Sequence, residues 1–408
     1  MMANLLTQLN DYYSGEMLID KLTVLPEYNY KATSLPERMI ALLDIYKIFI
    51  PNNVTVDIYN RLYLALINSL DKKNTLIETE LTNDNFRTIK GYKRYGVIGG
   101  IESFKITGTA GVGKTSNIHR CADIITGNVI LKSDDPYKEI IPILFVECVA
   151  DGSFKSLLYS ILQEVDAKLG TTYFISNKHV TTTVDVLLAA VSNVLINHVA
   201  LLVIDEIERV ANDSKRGETL INYLTQLVNQ SNVAICFVGN ESANKYFETK
   251  EYMSRRTIGI SIKKMEYDEN FYKFVSVLFR YQYTKNKVEL TPEIARSIYK
   301  LTNGAPSMII SLFVETQKMV ILNGSDRLDI KAFETCFRDN FANMIPYLAL
   351  SKEEIVPKKK STPKPITTPK PITIKEDIFM NISKAADKDI STAISMLKDV
   401  INVEFIKV

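Results

Sequence analysis

Between residues 104 and 262, short apolar runs alternate with longer stretches in which apolar residues recur at helical spacing. Apolar runs of this length, joined by crossover helices, are typical of parallel strands that are buried on both faces. The alternation therefore predicts an α/β domain in which helices cover both faces of a five-stranded parallel sheet. The five predicted strands are Phe104–Ile106, Ile143–Cys148, Ala200–Ile204, Val233–Val238 and Ile258–Ile262.

The stretches on either side of this domain have helical spacing without strand-like runs. Near the N-terminus, Ser34 and Glu37 form a capping box with Pro36 in the first turn, which indicates the start of a helix. Residues 268–343 likewise predict a small all-helical lid. The first 95 residues contain no catalytic cluster, and we interpret them as a structural or interaction region.

The composition changes after Asn343. Residues 357–371 hold five of the 13 prolines, and the sequence TPKPIT occurs twice in tandem. Proline favours the extended PPII conformation, so this stretch predicts a semi-rigid spacer. The residues beyond it have the spacing of one amphipathic helix, which we interpret as a partner-docking tail. The predicted domains are 1–95 (helical), 96–265 (α/β), 266–345 (lid), 346–373 (linker) and 374–408 (tail).

The overall charge is close to neutral, because 49 Lys+Arg stand against 47 Asp+Glu and the formal net charge is +2. Residues 352–375 alone carry seven Lys and two Glu, so the rest of the chain is slightly acidic. This balance excludes a globally basic nucleic-acid coat. Any contact with DNA must come from a local patch.

Four widely spaced cysteines and three histidines provide neither zinc-ligand spacing nor a disulfide framework. The longest apolar runs have six residues, far fewer than a membrane span needs, and the N-terminus lacks the pattern of a secretory signal. These features predict a cytoplasmic protein with reduced thiols and no membrane partner.

A complete phosphate-loop motif, G-x-x-x-x-G-K-[ST], follows the first predicted strand and precedes a predicted helix. Glycines at these positions let backbone N–H groups close around phosphates, while Lys114 would reach the β- and γ-phosphates and Thr115 would offer its hydroxyl to Mg²⁺. The motif predicts binding of ATP with Mg²⁺. The predicted nucleotide-binding residues are Gly108, Thr109, Ala110, Gly111, Val112, Gly113, Lys114 and Thr115.

Polar residues follow two other predicted strands. Asp205 and Glu206 come directly after Ala200–Ile204. Asp205 would hold the Mg²⁺ shell, and Glu206 would polarise the water that attacks the γ-phosphate. Asn240 comes shortly after Val233–Val238 and either orients that water or is a turn residue.

Two adjacent arginines, Arg255 and Arg256, precede the last predicted strand. An exposed arginine at a domain edge can complete the site of a neighbouring subunit by stabilising transition-state charge. The alternative interpretation is a pair of solvated surface residues.

The order of these features resembles that of an AAA+ ATPase, and more closely the TnsC/TniB family of DNA-transposition regulators. The stretches that carry the resemblance are the phosphate loop, VECVADGSFKSLLYSILQEVDAKLG (146–170), LLVIDEIERV (201–210), VGNESA (238–243) and SRRTIG (254–259). The resemblance implies a P-loop AAA+ core, with Asn240 as sensor 1 and Arg255 or Arg256 as a trans-acting finger. Ser307 stands where AAA+ lids often carry a sensor 2 arginine, so that arginine is absent.

The resemblance also implies assembly on duplex DNA as a homo-oligomeric ring or helical filament. The residues that match its phosphate-contacting segment are Lys155, Lys178, Thr181 and Thr182. So few groups bind weakly in one subunit, but an oligomer repeats them. In the alternative interpretation Lys155 is a solvated helix residue.

Together these features predict an ATP-dependent regulator of transposition that oligomerises on target DNA. It would recruit or activate transposase subunits, with a target-selector protein as a further partner and ATP hydrolysis driving disassembly. Two alternatives stay open: an AAA+ replication initiator or helicase loader, and a remodelling or defence NTPase that acts without DNA.

Overall fold

The computed structural model describes residues 5–87, 103–134, 137–149, 153–179, 181–209, 222–228, 231, 233–244 and 259–341. The chain separates into two compact units, Met1–Leu350 and Ser351–Val408. The predicted linker and tail lie outside the described residues. The predicted domain boundaries stay predictions.

A six-stranded sheet lies at the centre of the first unit, in the strand order β2-β3-β4-β5-β1-β6. Five of its strands pair in parallel, and each overlaps one of the five predicted strands. The predicted α/β fold with a mainly parallel sheet is thereby confirmed. The strands are β1 (Phe104–Gly108), β2 (Leu131–Asp134), β3 (Tyr137–Glu147), β4 (Val199–Asp205), β5 (Ala234–Gly239) and β6 (Gly259–Ile262).

The predicted count of five strands is wrong, because β2 adds an antiparallel edge strand beside β3. Its sequence, LKSD, contains a single apolar residue and does not resemble a buried strand. The pairing nevertheless buries Leu131 and brings Lys132 Nζ within 3.2 Å of Glu139 Oε1 on β3. Because β3 supplies the partner for β2, it also begins earlier than its apolar run, at Tyr137.

Helices cover both faces of the sheet, and each layer has its own apolar core. On β4, Leu202 and Ile204 pack in the core formed with α5 and α7, while Leu201 and Val203 pack in the core formed with α3 and α4. Successive side chains of β4 point to opposite faces of the sheet, and both faces are buried. The strand is therefore apolar at consecutive positions. The helices up to this strand are α1 (Gly15–Leu22), α2 (Leu35–Ala41), α3 (Asn53–Arg87), α4 (Lys114–Thr126), α5 (Phe154–Leu169), α6 (Tyr173–Asn177) and α7 (Val184–His198).

The described part of the predicted lid consists of helices joined by turns and loops. Its helices are α8 (Glu269–Phe279), α9 (Pro292–Thr302), α10 (Pro306–Leu322) and α11 (Ile330–Asn340), and they enclose a third core. In the part of the chain that the structure describes, no single helix has the length and apolar composition to cross a membrane. Among the described helices, only α9 and α10 taken together have that length and composition, and the two helices are bent by 116° relative to each other.

The N-terminal segment contributes to two of these cores. Leu22 of α1 packs in the α3–α4 layer of the sheet, whereas Leu42 and Ile45 pack with the lid helices. The chain leaves the sheet layer and returns to it at one antiparallel bridge, where the N–H of Val24 donates to the carbonyl of Phe49 at 2.8 Å. The excursion between these two residues is therefore packed as part of the lid.

A buried ion pair fastens this excursion to the lid. Arg38 Nη1 donates to Asp326 Oδ2 at 3.1 Å, Nη2 pairs with Oδ1, and Nε donates to the carbonyl of Tyr283 at 2.6 Å. Burial raises the pKa of Asp326, but hydrogen bonds from Arg38 and from the N–H of Lys285 outweigh it, so the net pKa is lowered. Removing one partner from such a buried pair typically costs about 3–5 kcal/mol.

A second buried cation, Lys73 on α3, lies at the C-terminal end of α7. Its side chain donates to the carbonyls of Leu195, at 3.2 Å, and Ile196. Burial, reinforced by the positive charge of Lys138, lowers the pKa of Lys73 from 10.5 to about 7. Between these two values the unfolded chain binds a proton at Lys73 that the folded chain releases.

We expect Lys73→Met to remove a pH dependence of stability. As pH rises from about 7 towards 10, the native chain should gain stability over the variant by up to ~1.4 kcal/mol per pH unit, because only its unfolded state holds the extra proton. Below about pH 7 Lys73 is protonated in both the folded and the unfolded chain, so the difference in stability between the native chain and the variant should not change with pH. Urea unfolding across this range measures it, with Lys72→Met as the control for loss of one charge. A difference that is constant throughout would contradict the lowered pKa.

Candidate nucleotide site

The predicted phosphate loop joins β1 to α4, and its glycines are required by the backbone. Gly113, the N-cap of α4, has a φ of 87°, and Gly111 has a φ of 79°, a left-handed region that glycine adopts without steric cost. At Gly108 the requirement is space, since a Cβ would lie 2.4 Å from the backbone oxygen of Ile262 on β6. The local sequence therefore sets the shape of the loop.

The loop is connected to the end of β4 by one short hydrogen bond. Thr115 Oγ1, in the first turn of α4, donates to Asp205 Oδ2 at 2.6 Å. Lys114 Nζ turns back into the loop and donates to the carbonyls of Gly108 and Thr109, at 2.8 and 3.2 Å. The two predicted metal-binding residues are thus in contact, beside the predicted phosphate-binding lysine.

These residues fit a nucleotide held together with Mg²⁺. Hydroxyl and carboxylate oxygens are ligands that Mg²⁺ accepts, and Mg²⁺ is usually bound by one or two protein groups together with waters and substrate phosphates. Within the described residues no group of three or more His, Cys, Asp or Glu could hold a metal on its own. Thr109 Oγ1 in the loop is buried and has no hydrogen-bond partner in the same part of the chain. A bound phosphate would supply one.

Glu206 directly follows β4 and has an unusual backbone conformation for a non-glycine residue, with a φ of 55°. Its carboxylate forms an ion pair with Arg209, which also donates to Glu147 Oε1 at 2.8 Å and to the carbonyl of Cys148 at 3.1 Å. Burial raises the pKa of Glu206, and the positive charge of Arg209 opposes this rise. The sequence alone does not indicate that Arg209 pairs with both Glu206 and Glu147.

Asn240 follows β5 and begins a short 3-10 turn. Its Oδ1 accepts from the N–H of Ser242 at 2.9 Å and from the Ser242 hydroxyl, which is a capping arrangement. The backbone N–H of Asn240 donates to Glu208 Oε2 at 3.1 Å. Glu208, which appears in the sequence as one more surface acid, therefore connects the turn after β4 to the tip of β5. The predicted Arg255 and Arg256 lie outside the described residues.

The residues predicted to contact DNA lie on a surface formed by α5, α6 and the following turn. Lys155 Nζ lies 5.9 Å from the centre of the Tyr159 ring, and Lys178 Nζ lies 4.9 Å from that of Phe174. These two rings pack edge to face, with centres 5.7 Å apart. We call these four residues the Lys155–Lys178 surface.

The turn after α6 is connected to this surface through its backbone. Thr182 Oγ1 donates to the carbonyl of Asn177 at 3.1 Å, and Tyr159 Oη donates to the same carbonyl at 3.4 Å. Thr181, next to it, is exposed. At the start of α6, Asp166 accepts from the N–H groups of Tyr173 and Phe174 at 2.9 and 2.8 Å, which fixes the turn from α5.

Comparison with known proteins identifies the fold. Residues 101–247 match the family model of the AAA domain. The chain has a P-loop AAA+ fold. A search of curated protein sequences gave no match.

Three similar solved structures are the Aeropyrum pernix ORC1 protein in complex with DNA, Drosophila ORC bound to DNA, and domain III of the Thermotoga maritima replication initiation protein DnaA. The first is 13% identical with a TM-score of 0.48, over 90% of this chain and 83% of that one. The second is 9% identical with a TM-score of 0.46, and the match covers 99% of this chain and 86% of that one. The third is 12% identical with a TM-score of 0.37, and the match covers 77% of this chain and 98% of that one. At such identities the likeness concerns the fold alone.

We expect Glu208→Ala to loosen the tip of β5. The substitution removes the acceptor of the Asn240 N–H, a partly exposed charge-assisted bond worth about 1 kcal/mol, so this amide should exchange with solvent roughly fivefold faster. Hydrogen–deuterium exchange at Asn240 measures the effect. The exposed Glu241 provides the control, since Glu241→Ala should leave the Asn240 rate unchanged. Equal rates in the two variants would show that the bond does not hold the turn.

Proposed function

We propose that this chain is an ATPase that binds ATP with Mg²⁺ between the phosphate loop and the end of β4. The hydrogen bond between Thr115 and Asp205 carries this proposal, because it places a hydroxyl and a carboxylate where one ion can contact both. Lys114, turned into the loop, supports binding of a polyphosphate rather than of a neutral ligand.

Binding and metal coordination fall to the loop and to β4. The loop N–H groups and Lys114 would hold the phosphate oxygens and orient the γ-phosphate for in-line attack. Thr115 and Asp205 would hold Mg²⁺, which when bound neutralises charge on the phosphates.

Proton transfer falls to the turn after β4. Glu206 would accept a proton from the attacking water, and its ion pair with Arg209 favours the ionised form that a general base requires. Asn240 would orient this water through Nδ2, since its Oδ1 already accepts from Ser242. Arg255 or Arg256 would stabilise the transition state in the site of a neighbouring subunit, so full activity would require an oligomer.

The proposal extends to duplex DNA as the partner. On the Lys155–Lys178 surface both ammonium groups lie over aromatic rings, an attractive contact that favours a defined position for each of them. Two cations per subunit bind weakly, but a ring or filament multiplies the phosphate contacts. ATP would then act as the switch for assembly, and hydrolysis would release the DNA.

Among DNA-dependent roles we favour regulation of transposition, with transposase subunits and a target-selector protein as partners. The motifs shared with TnsC/TniB proteins support this choice, above all residues 146–170 and 201–210. A replication initiator or helicase loader would use the same ATP and DNA contacts and differs in its partner. Co-sedimentation with the DNA-bound assembly separates the two roles, since the first retains a transposase subunit and the second a replicative helicase.

We expect the chain to form rings or filaments on duplex DNA when a non-hydrolysable ATP analogue is present, as seen by electron microscopy. Glu206→Gln should bind ATP with native affinity, lose turnover by at least about 100-fold, and keep these assemblies in ATP itself, because the base is lost while the binding groups stay. Free monomers in all conditions would contradict the assembly, and unchanged turnover would contradict the role of Glu206.

We expect the double substitution Lys155→Gln and Lys178→Gln to weaken DNA binding roughly tenfold or more per assembly and to reduce the salt dependence of binding. Fluorescence anisotropy with a labelled duplex at several salt concentrations measures both quantities. Lys168→Gln, on an exposed position of the same helix α5, is the charge-matched control for the single variant Lys155→Gln, which should itself weaken binding more than this control does. If the control weakens binding as much as the double variant, the contact is not at the Lys155–Lys178 surface.

A further inference from the structure

The lid helix α10 begins directly against the phosphate loop. The N–H of Ser307, in the first turn of this helix, donates to the carbonyl of Gly111 at 3.1 Å. The first N–H groups of a helix have no acceptor within the helix, so this donor is available to the loop without loss of a helical bond. No cap side chain competes for it, because the N-cap residue is Ala305.

The side chain of Ser307 fills the space beside the loop residue. A Cβ at Gly111 would lie 2.4 Å from Ser307 Oγ. Three residues earlier the same turn is fixed on its other side, where the N–H of Met265 donates to the carbonyl of Gly304 at 2.9 Å. The turn Gly304–Ser307 is therefore held both by the segment after β6 and by the loop.

This contact fixes one peptide of the loop. In a trans peptide the C=O and the following N–H point in opposite directions. With its carbonyl directed at α10, the Gly111–Val112 peptide must direct the N–H of Val112 away from the lid helix. Amides of this kind are the groups with which a phosphate loop binds its ligand.

We propose that Ser307 is a positioning residue whose backbone N–H couples the lid to the phosphate loop. The closed lid orients the Gly111–Val112 peptide for phosphate binding, and bound nucleotide in turn stabilises the closed lid, because coupling between two equilibria is reciprocal. The lid thus responds to nucleotide through the loop backbone, without an arginine at this position. This inference rests on the proposed binding of ATP.

Two substitutions at one position separate the backbone contact from the hydroxyl. Ser307→Pro removes both the N–H and the hydroxyl and puts its ring Cδ where the N–H pointed, so the contact with the Gly111 carbonyl cannot form. Ser307→Ala removes the hydroxyl alone. We expect the Pro variant to bind a fluorescent ATP analogue at least roughly threefold more weakly than the Ala variant, because it loses the hydrogen bond and its ring displaces the Gly111 carbonyl. In turnover assays the difference should appear in KM more than in kcat.

Equal affinity of the two variants would overturn the coupling. A measurement on the native chain keeps the test independent of folding of the Pro variant: ATP should slow hydrogen exchange of the Ser307 amide severalfold, because nucleotide holds its acceptor in place. An exchange rate that ATP leaves unchanged, while ATP binding is measured directly, would also overturn it. If the native chain fails to bind ATP at all, the proposed ATPase function fails instead.

Discussion

The parallel pairing of β4, β5 and β1 brings Asp205, Asn240 and the phosphate loop of the candidate nucleotide site together. Ile204 pairs with Phe237, and Val238 pairs with Ile106, so the three strands end at one edge of the sheet. Asp205 ends β4 at that edge, and Asn240 and the phosphate loop follow β5 and β1 there. Because side chains alternate between faces, a slip of one residue in any of these pairings would turn Asp205 away from Thr115.

Much of this arrangement follows from local sequence alone. The five parallel strands are apolar because both of their faces are buried, and the loop residues are specified by backbone geometry that few other residues permit. Glu206, Asp205 and Asn240 were predictable because polar residues at the ends of such strands share one edge. These features are local, and a reader of the sequence can find them without knowing the tertiary contacts.

Other features depend on contacts between distant residues and have no local pattern. β2 is a strand because β3 lies beside it, not because LKSD favours one. Glu208 and Arg209 look like surface charges until the tip of β5 and the end of β3 are placed next to them. Ser307 appears in the sequence only as a missing arginine, whereas its backbone N–H contacts Gly111, almost 200 residues earlier in the chain.

The excursion of the N-terminal segment between Val24 and Phe49 has a mechanical consequence. If the segment after β6 were the lid's one connection to the sheet layer, the lid could rotate in any direction about that connection. This lid is also tied at the Val24–Phe49 bridge, and Arg38 prevents the excursion from separating from it. Any movement of the lid relative to the sheet must therefore accommodate both connections, in addition to the contact between Ser307 and the phosphate loop.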